Sequence, residues 1–169
     1  MAEAARIEVL IALGSNQGDR RAALRAAVEA LPPAVDVAAQ SRVYETAPMY
    51  VADQPAFLNM ALRGWTALAP QDLLARLKAI EAEVGRVETF RNGPRAIDLD
   101  ILYYGDQTVT TPGLQIPHPR IAERAFVLVP LADVAADWTD PQSGRTVDAM
   151  LTAAPGRETV QAATPPDLG

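Results

Sequence analysis

The hydrophobic pattern of this chain switches between the two-residue period of strands and the wider spacing of helices. Apolar residues alternate with polar ones, or cluster with β-branched residues, in four stretches that we predict as strands. Leucine, valine and alanine recur at helical spacing in two long stretches, and a shorter apolar helix is predicted later in the chain. The predicted strands are residues 7–13, 35–44, 57–65 and 97–104, and the predicted helices are residues 20–31, 70–85 and 127–136.

Antiparallel strands interleaved with two main helices predict an α+β sandwich. At 169 residues the chain has the size of a single domain that can bury a full core. We assign residues 1–153 to this domain, with a short hairpin arm at 107–110 and a last helix at 146–153. Residues 154–169 lack a periodic pattern, and we expect them to form a flexible carboxyl-terminal tail.

Two carboxylates interrupt the last predicted strand. Asp98 and Asp100 are two residues apart, so a strand places both on one face, roughly 6–7 Å apart. Such a pair repels unless a cation lies between them, and Mg²⁺ prefers one or two carboxylates together with substrate phosphates. We interpret the pair as a two-metal phosphate clamp; the alternative is that both acids face solvent or pair with arginines. The opposite face is expected to carry Ile97, Leu99, Ile101 and Tyr103.

Three arginines, Arg86, Arg91 and Arg95, precede this strand in a stretch that Gly93 and Pro94 mark as a loop. Arginine binds phosphate oxygens through two parallel hydrogen bonds, so an arginine loop beside a metal pair favours phosphoryl chemistry. A solvated charged loop is the alternative.

Three further features are candidates for binding. Phe57 and Asn59 share one face of a predicted strand, where a ring and an amide suit a flat heterocycle with donor and acceptor edges. The preceding segment 46–55 is a long irregular connection of the kind that often covers a site. His118, the only histidine, lies between two prolines that restrict its backbone. Ordinary structural roles remain the alternative for Phe57, Asn59 and His118.

Composition narrows the function classes. The net charge of −6 argues against a nucleic-acid surface, and no apolar run approaches the length of a membrane span. There is no cysteine, which excludes disulfides and thiolate metal sites, and the single lysine, Lys78, does not belong to a P-loop. The first six residues lack the pattern of a signal peptide, so we expect a cytoplasmic protein.

Several motifs in order resemble the 6-hydroxymethyl-7,8-dihydropterin pyrophosphokinase family over roughly residues 7–135. The motifs are Gly14-Ser15-Asn16, Tyr44-Glu45-Thr46, Gln54-Pro55-Ala56-Phe57-Leu58-Asn59, Gly93-Pro94-Arg95, Asp98-Leu99-Asp100-Ile101, Pro117-His118-Pro119-Arg120 and Arg124-Ala125-Phe126-Val127-Leu128-Val129-Pro130-Leu131.

The resemblance implies a ferredoxin-like antiparallel sheet flanked by helices, an α/β/α sandwich. It implies an enzyme of folate biosynthesis that transfers pyrophosphate from ATP to the dihydropterin and releases AMP. The expected partners are these small molecules, with no nucleic acid or membrane, and we expect a monomer. The implied catalytic residues are Arg86, Arg95, Asp98 and Asp100, of which Asp98 and Asp100 would hold two Mg²⁺ ions. The implied ATP contacts are Glu81, Arg91, Arg95, Ile101, His118 and Arg124. The implied pterin contacts are Thr46, Ala47, Met49, Phe57, Asn59 and Phe126.

The chain departs from the family pattern in the arginine loop. Asn92 stands where some members have tryptophan, Glu88 lies near the position of a further arginine, and the loop is shorter by one residue. These departures affect the expected closure of the loop but leave the carboxylate pair intact. Two other functions stay open: a different Mg²⁺-dependent phosphotransferase or phosphohydrolase, and a binding module without catalysis.

Overall fold

The computed structural model describes residues 5–16, 18–46, 56–85 and 97–168. In these ranges it contains eight strands, four α-helices and two short 3-10 turns. The strands are β1 (Ile7–Ser15), β2 (Asp36–Gln40), β3 (Tyr44–Thr46), β4 (Phe57–Thr66), β5 (Asp98–Tyr104), β6 (Val109–Thr111), β7 (Leu114–Ile116) and β8 (Val160–Ala162). The helices are α1 (Arg20–Ala30), α2 (Pro70–Gly85), α3 (Ala125–Ala135) and α4 (Val147–Ala153), and the 3-10 turns are Ile121–Glu123 and Arg157–Thr159.

The main sheet is antiparallel and has the order β5-β1-β4-β3-β8, with β2 also paired to β4. The elements from β1 to β5 follow the β-α-β-β-α-β order of ferredoxin-like folds if β2 and β3 are counted as one divided strand, and in such folds two helices cover one face. A separate two-stranded sheet, β6–β7, pairs Val109 with Ile116. The predicted α+β sandwich with a ferredoxin-like sheet is therefore confirmed.

The sheet has a hydrophobic core on each face. Alternate residues of β1, such as Val9, Ile11 and Leu13, face α1 and α2, while Leu10 between them faces α3 and α4. This alternation buries both faces and makes the three layers of an α/β/α sandwich. In the described part of the chain no helix combines the length and hydropathy needed to cross a membrane.

A β-bulge in β5 changes one predicted side-chain direction. The pairing of β1 with β5 shifts register between Leu10 and Ile11, so β5 carries one extra residue, Leu102. Leu102 and Tyr103 consequently both belong to the core beneath α3, and the Tyr103 hydroxyl donates to Asp140 Oδ2 at 2.7 Å. The prediction that Tyr103 shares a face with Leu99 and Ile101 is wrong, because strict alternation does not continue through a bulge.

The predicted strand 35–44 is divided into β2 and β3. Between them, Ser41 stays attached to β4 by its own backbone and side chain, since its N–H donates to the Ala61 carbonyl at 2.9 Å and its hydroxyl accepts from Ala61 N at 2.8 Å. The two strands therefore follow one long partner, β4, across an irregular step. β3 is the part that leads toward the site.

Residues 154–168 are ordered against the domain rather than forming the flexible tail that their sequence predicts. β8 pairs with β3, and Ala163 N donates to the Val43 carbonyl at 2.9 Å. Arg21 donates to the carbonyls of Pro165 and Asp167, at 2.6 and 2.9 Å. Backbone pairing and arginine contacts to carbonyls leave no hydrophobic period in the sequence, which explains why the prediction failed.

Candidate functional site

The two carboxylates of β5 lie on one face of the sheet, as predicted. Asp98 is partly buried and Asp100 is exposed, while Leu99 between them is buried in the opposite core. Both acids line a cavity of about 330 Å³ between the sheet and the start of α3. Across the ladder, Asp98 pairs with Gly14 and Asp100 with Ala12 of β1. The carboxylates thus share a cavity wall with the backbone of β1.

The ring and amide of β4 line the same cavity. Asn59 is buried, and its Nδ2 donates to Thr46 Oγ1 of β3 at 3.0 Å. Phe57 lies two residues earlier on the same face, and Phe126 of α3 also lines the cavity. Two aromatic rings and an oriented amide therefore surround this space. The structure brings Thr46, Phe57, Asn59 and Phe126 together, as the resemblance implies.

Small residues on β1 open the cavity. Ala12 and Gly14 line it from the sheet face that carries Asn59, and a Cβ atom added at Gly14 would lie 3.1 Å from Asn59 Oδ1. A larger residue at position 14 would therefore push against the amide. Ala12 is not among the predicted site residues, although two small residues spaced by two on a buried strand are a signal of space beside the strand.

Arg124 and His118 complete this region. Arg124 precedes α3 and places its guanidinium 5.7 Å from the centroid of the Phe126 ring. Burial lowers the pKa of His118, and the Arg124 and Arg120 charges lower it further, while the Asp100 carboxylate acts in the opposite direction. The His118 imidazole is therefore neutral at pH 7 and can serve as one donor and one acceptor.

A second cavity of about 390 Å³ lies at the edge of the sheet. Its walls come from α2, β5 and the β6–β7 hairpin, and its described lining residues are Leu74, Lys78, Leu99, Asp100, Ile101, Thr110, Thr111, Gly113, Leu114, Gln115, His118 and Pro119. Asp100 and His118 line both cavities. These two side chains mark the place where a molecule in one cavity would meet a molecule in the other.

Two of the implied ATP contacts take positions that the sequence did not indicate. Arg124 lines the first cavity rather than the second. Glu81 of α2 accepts a hydrogen bond from Leu99 N at 2.8 Å through Oε2, and its Oε1 lies 3.3 Å from Lys78 Nζ. Glu81 therefore attaches α2 to the strand that carries both aspartates. Ile101 and His118 do line the second cavity.

Five predicted site residues lie outside the described residues: Ala47, Met49, Arg86, Arg91 and Arg95. The segment expected to cover the site and the departures at Glu88 and Asn92 lie there as well. Their assignments stay predictions.

The donors around the carboxylate pair suit Mg²⁺ better than a metal that needs a full protein cage. Within the described ranges, no group of three or more histidine, aspartate or glutamate side chains could hold a metal ion. Mg²⁺ is commonly held by one or two carboxylates, with water and substrate phosphates as its other ligands. Asp98 and Asp100 beside an adjoining cavity fit that requirement.

Comparisons with known proteins agree on one family. A family model described as 7,8-dihydro-6-hydroxymethylpterin-pyrophosphokinase (HPPK) matches residues 10–136. The 2-amino-4-hydroxy-6-hydroxymethyldihydropteridine pyrophosphokinase of Pseudomonas aeruginosa is 46% identical over 149 residues, which cover 87% of this chain and 91% of that protein. The Bacillus subtilis protein of the same name is 49% identical over 126 residues, covering 73% of this chain and 75% of that protein.

Some relatives are much longer than this chain. The mitochondrial folate synthesis bifunctional protein of Arabidopsis thaliana is 48% identical over 134 residues, which are 79% of this chain and 24% of that protein. The chain thus spans about a quarter of the length of such bifunctional relatives. The crystal structure of wild-type Plasmodium falciparum HPPK-DHPS superimposes with a TM-score of 0.73 at 14% identity, over 90% of this chain and 45% of that chain. At this identity the superposition supports the fold alone.

Proposed function

Because the chain belongs to the 7,8-dihydro-6-hydroxymethylpterin-pyrophosphokinase family of folate biosynthesis, we propose that it transfers pyrophosphate from ATP to the hydroxymethyl group of 6-hydroxymethyl-7,8-dihydropterin. The products are AMP and the pterin diphosphate. The observation that carries this proposal is the pair of adjoining cavities that share Asp100 and His118. A transfer between two bound substrates needs such a junction, since the reacting atoms must approach to about 3–3.5 Å.

We assign the pterin to the first cavity. The ring stacks between Phe57 and Phe126, and the Asn59 amide, held by Thr46, orients its polar edge. Ala47 and Met49 are proposed to contact the pterin from the segment that follows β3. The hydroxymethyl group then points toward Asp100 and His118.

We assign ATP to the second cavity, with its base among the apolar residues Leu74, Ile101 and Leu114 and its phosphates at the junction. The hydroxymethyl oxygen attacks the β-phosphorus, and the bond from the β-phosphorus to the oxygen bridging the α-phosphate breaks, releasing AMP. Neutral His118 forms hydrogen bonds to a phosphate oxygen. We place Arg124 at the phosphates from the pterin side, while Glu81 acts by holding Leu99 and so the position of Asp100.

Negative charge grows on the bridging oxygen and on the β-phosphate oxygens during this transfer. We propose that Arg86 and Arg95 approach these oxygens and that Arg91 binds the phosphate chain. The proton of the hydroxymethyl group leaves to one of the aspartates or to water, because a loose transition state makes little demand on a strong base.

We propose that Asp98 and Asp100 hold two Mg²⁺ ions. The fit rests on their shared cavity wall, which supplies the one or two carboxylates that Mg²⁺ commonly takes from a protein. When bound, Mg²⁺ neutralises phosphate charge and aligns the entering and leaving oxygens.

We also propose a monomeric, cytoplasmic enzyme. A cysteine-free sequence is compatible with the reducing cytoplasm.

A phosphorus NMR time course with Mg²⁺, ATP and 6-hydroxymethyl-7,8-dihydropterin tests the proposed reaction. We expect AMP and a pterin diphosphate to appear together, and EDTA to stop both. Formation of ADP or phosphate instead would indicate a different phosphotransferase or phosphohydrolase. No product, with both substrates bound, would indicate a binding module.

A further inference from the structure

The only lysine of the chain lies at the proposed nucleotide cavity. Lys78 is on α2, one turn after Leu74, and both residues line the wall of the second cavity. Its side chain is 52% exposed, so the ammonium can reach a ligand in the opening. A lysine on an amphipathic helix is ordinarily solvated. Lys78 instead has a specific ion-pair partner, Glu81.

The charges around this cavity favour an anion at Lys78. Lys78 is the one lysine or arginine among the described residues that line this cavity. Asp100 contributes negative charge at the same cavity. A nucleoside triphosphate carries several negative charges, and the described wall has one full positive charge to meet them.

The ammonium also has a defined position. Lys78 Nζ lies 3.3 Å from Glu81 Oε1, and the other oxygen of the same carboxylate accepts from Leu99 N at 2.8 Å. Lys78 is thereby linked through one carboxylate to the residue before Asp100. An ammonium has three donors, so the contact with Glu81 leaves donors for a ligand.

We propose that Lys78 binds a phosphate oxygen of the nucleotide and is a substrate-binding residue of this enzyme. The inference rests on the proposed function, since it assigns the nucleotide to the second cavity. Lysine binds phosphate as a point charge, so its contribution depends on charge more than on a fixed hydrogen-bond pattern. Lys78→Arg should therefore keep most of the effect, and Lys78→Gln should lose it.

Calorimetric titration of the full chain with Mg²⁺-ATP and with adenosine separates the phosphate contact from other roles. We expect Lys78→Gln to weaken ATP binding about tenfold, a discounted value for a half-exposed charged contact, with adenosine binding changed less than about twofold. Arg6→Gln is the matched control: it removes one positive charge that is 51% exposed and paired with Asp36, at the end of β1 far from Gly14. Arg6→Gln should leave the binding of both ATP and adenosine unchanged.

Acylation of the amino groups supplies a second readout that needs no variant. An activated ester can modify only Lys78 and the terminal α-amino group, so mass spectrometry gives the rate at Lys78 against an internal reference. We expect saturating Mg²⁺-ATP to slow acylation of Lys78 at least fivefold and adenosine to slow it little. Equal weakening of ATP and adenosine by Lys78→Gln, or no protection by bound ATP, would overturn the assignment. Failure of the unaltered protein to bind ATP would instead overturn the proposed function.

Discussion

The two cavities that meet at Asp100 and His118 are built from different kinds of structure. The first lies on the face of the main sheet, where β1, β3, β4 and β5 place its residues through their pairing register. The second lies at the sheet edge, where α2 and the separate β6–β7 hairpin form much of the wall. The hairpin is attached to the hydrophobic core by the buried residues Leu114 and Ile116, and to α2 by a hydrogen bond from Gln71 to Thr111.

This difference predicts how each cavity responds to change. A side chain on β1, β3 or β4 is held by a backbone ladder on each side of its strand, so its loss leaves a hole of defined shape and affects one substrate. The edge cavity depends on packing of α2, β5 and the β6–β7 hairpin, which share no ladder with one another, so each of its residues should contribute less to binding. Asp100 and His118 belong to both cavities, and changes there should affect the transfer itself.

The largest effect is expected at Asp100. Asp100→Ala should lower turnover at least about a thousandfold, because it removes a carboxylate at the junction that is proposed to hold Mg²⁺ beside the phosphates. The Asp100 side chain is exposed, so the thermal midpoint of unfolding should change little. Steady-state rates and a melting curve measure both quantities. Turnover close to that of the unaltered protein would refute the metal assignment.

The next largest effect should show that the two cavities bind different substrates. Phe57→Ala removes a ring from the first cavity and should weaken pterin binding about thirtyfold, or about 2 kcal/mol, with ATP binding almost unchanged. Gln115→Ala, at an exposed position of β7 in the second cavity, is the matched control and should affect only ATP, by a few-fold. Direct titrations with each ligand test the pair. Equal loss of both ligands in Phe57→Ala would contradict the separate cavities.

The same contrast explains which parts of the molecule the sequence predicted. The two-residue period of a strand was sufficient to predict which sheet face carries Asp98, Asp100, Phe57 and Asn59. Lys78 shares a cavity with Gln115 only because α2 packs beside the hairpin.

Contacts between elements of that kind, and the extra residue at Leu102, leave no periodic signal in the sequence. β8 was missed for a related reason, since its contacts with β3 are mainly those of the backbone.

Removal of β8 should weaken ligand binding in the first cavity, although β8 does not line that cavity. β8 pairs with β3, which carries Thr46, while the second cavity has no described wall on that side of the sheet. Ending the chain after Ala154 should lower the free energy of unfolding by about 2–4 kcal/mol through lost hydrogen bonds and an exposed strand edge. Pterin binding should weaken several-fold and ATP binding less than twofold.

Urea unfolding and ligand titration at 15 °C measure these effects of truncation. The double variant Arg21→Gln, Arg25→Gln is a milder comparison, because it removes the contacts to the carbonyls of Pro165, Asp167 and Leu168 but keeps β8. Its effect on pterin binding should lie between those of the full and truncated chains. A truncated protein that bound pterin normally would show that β3 is held without β8.

The smallest effect concerns the pH dependence of stability at His118. Burial lowers the pKa of His118 below its ordinary value of about 6.5, and of the charged groups that act on it, Asp100 opposes this shift while Arg124 and Arg120 add to it. The unfolded chain therefore takes up the proton first as pH falls. The folded protein loses stability as pH falls through about 6.5, and the loss is complete below the lowered pKa.

His118→Gln removes this titration while keeping a polar side chain. Between pH 7.5 and 5 the free energy of unfolding should fall more steeply in the unaltered protein than in the variant, because the other titrating groups are common to both. Urea unfolding at four pH values measures the two slopes. A steeper fall in the variant would mean that the pKa of His118 is raised in the folded state. The Asp100 charge, rather than burial, would then be the larger influence on the His118 pKa.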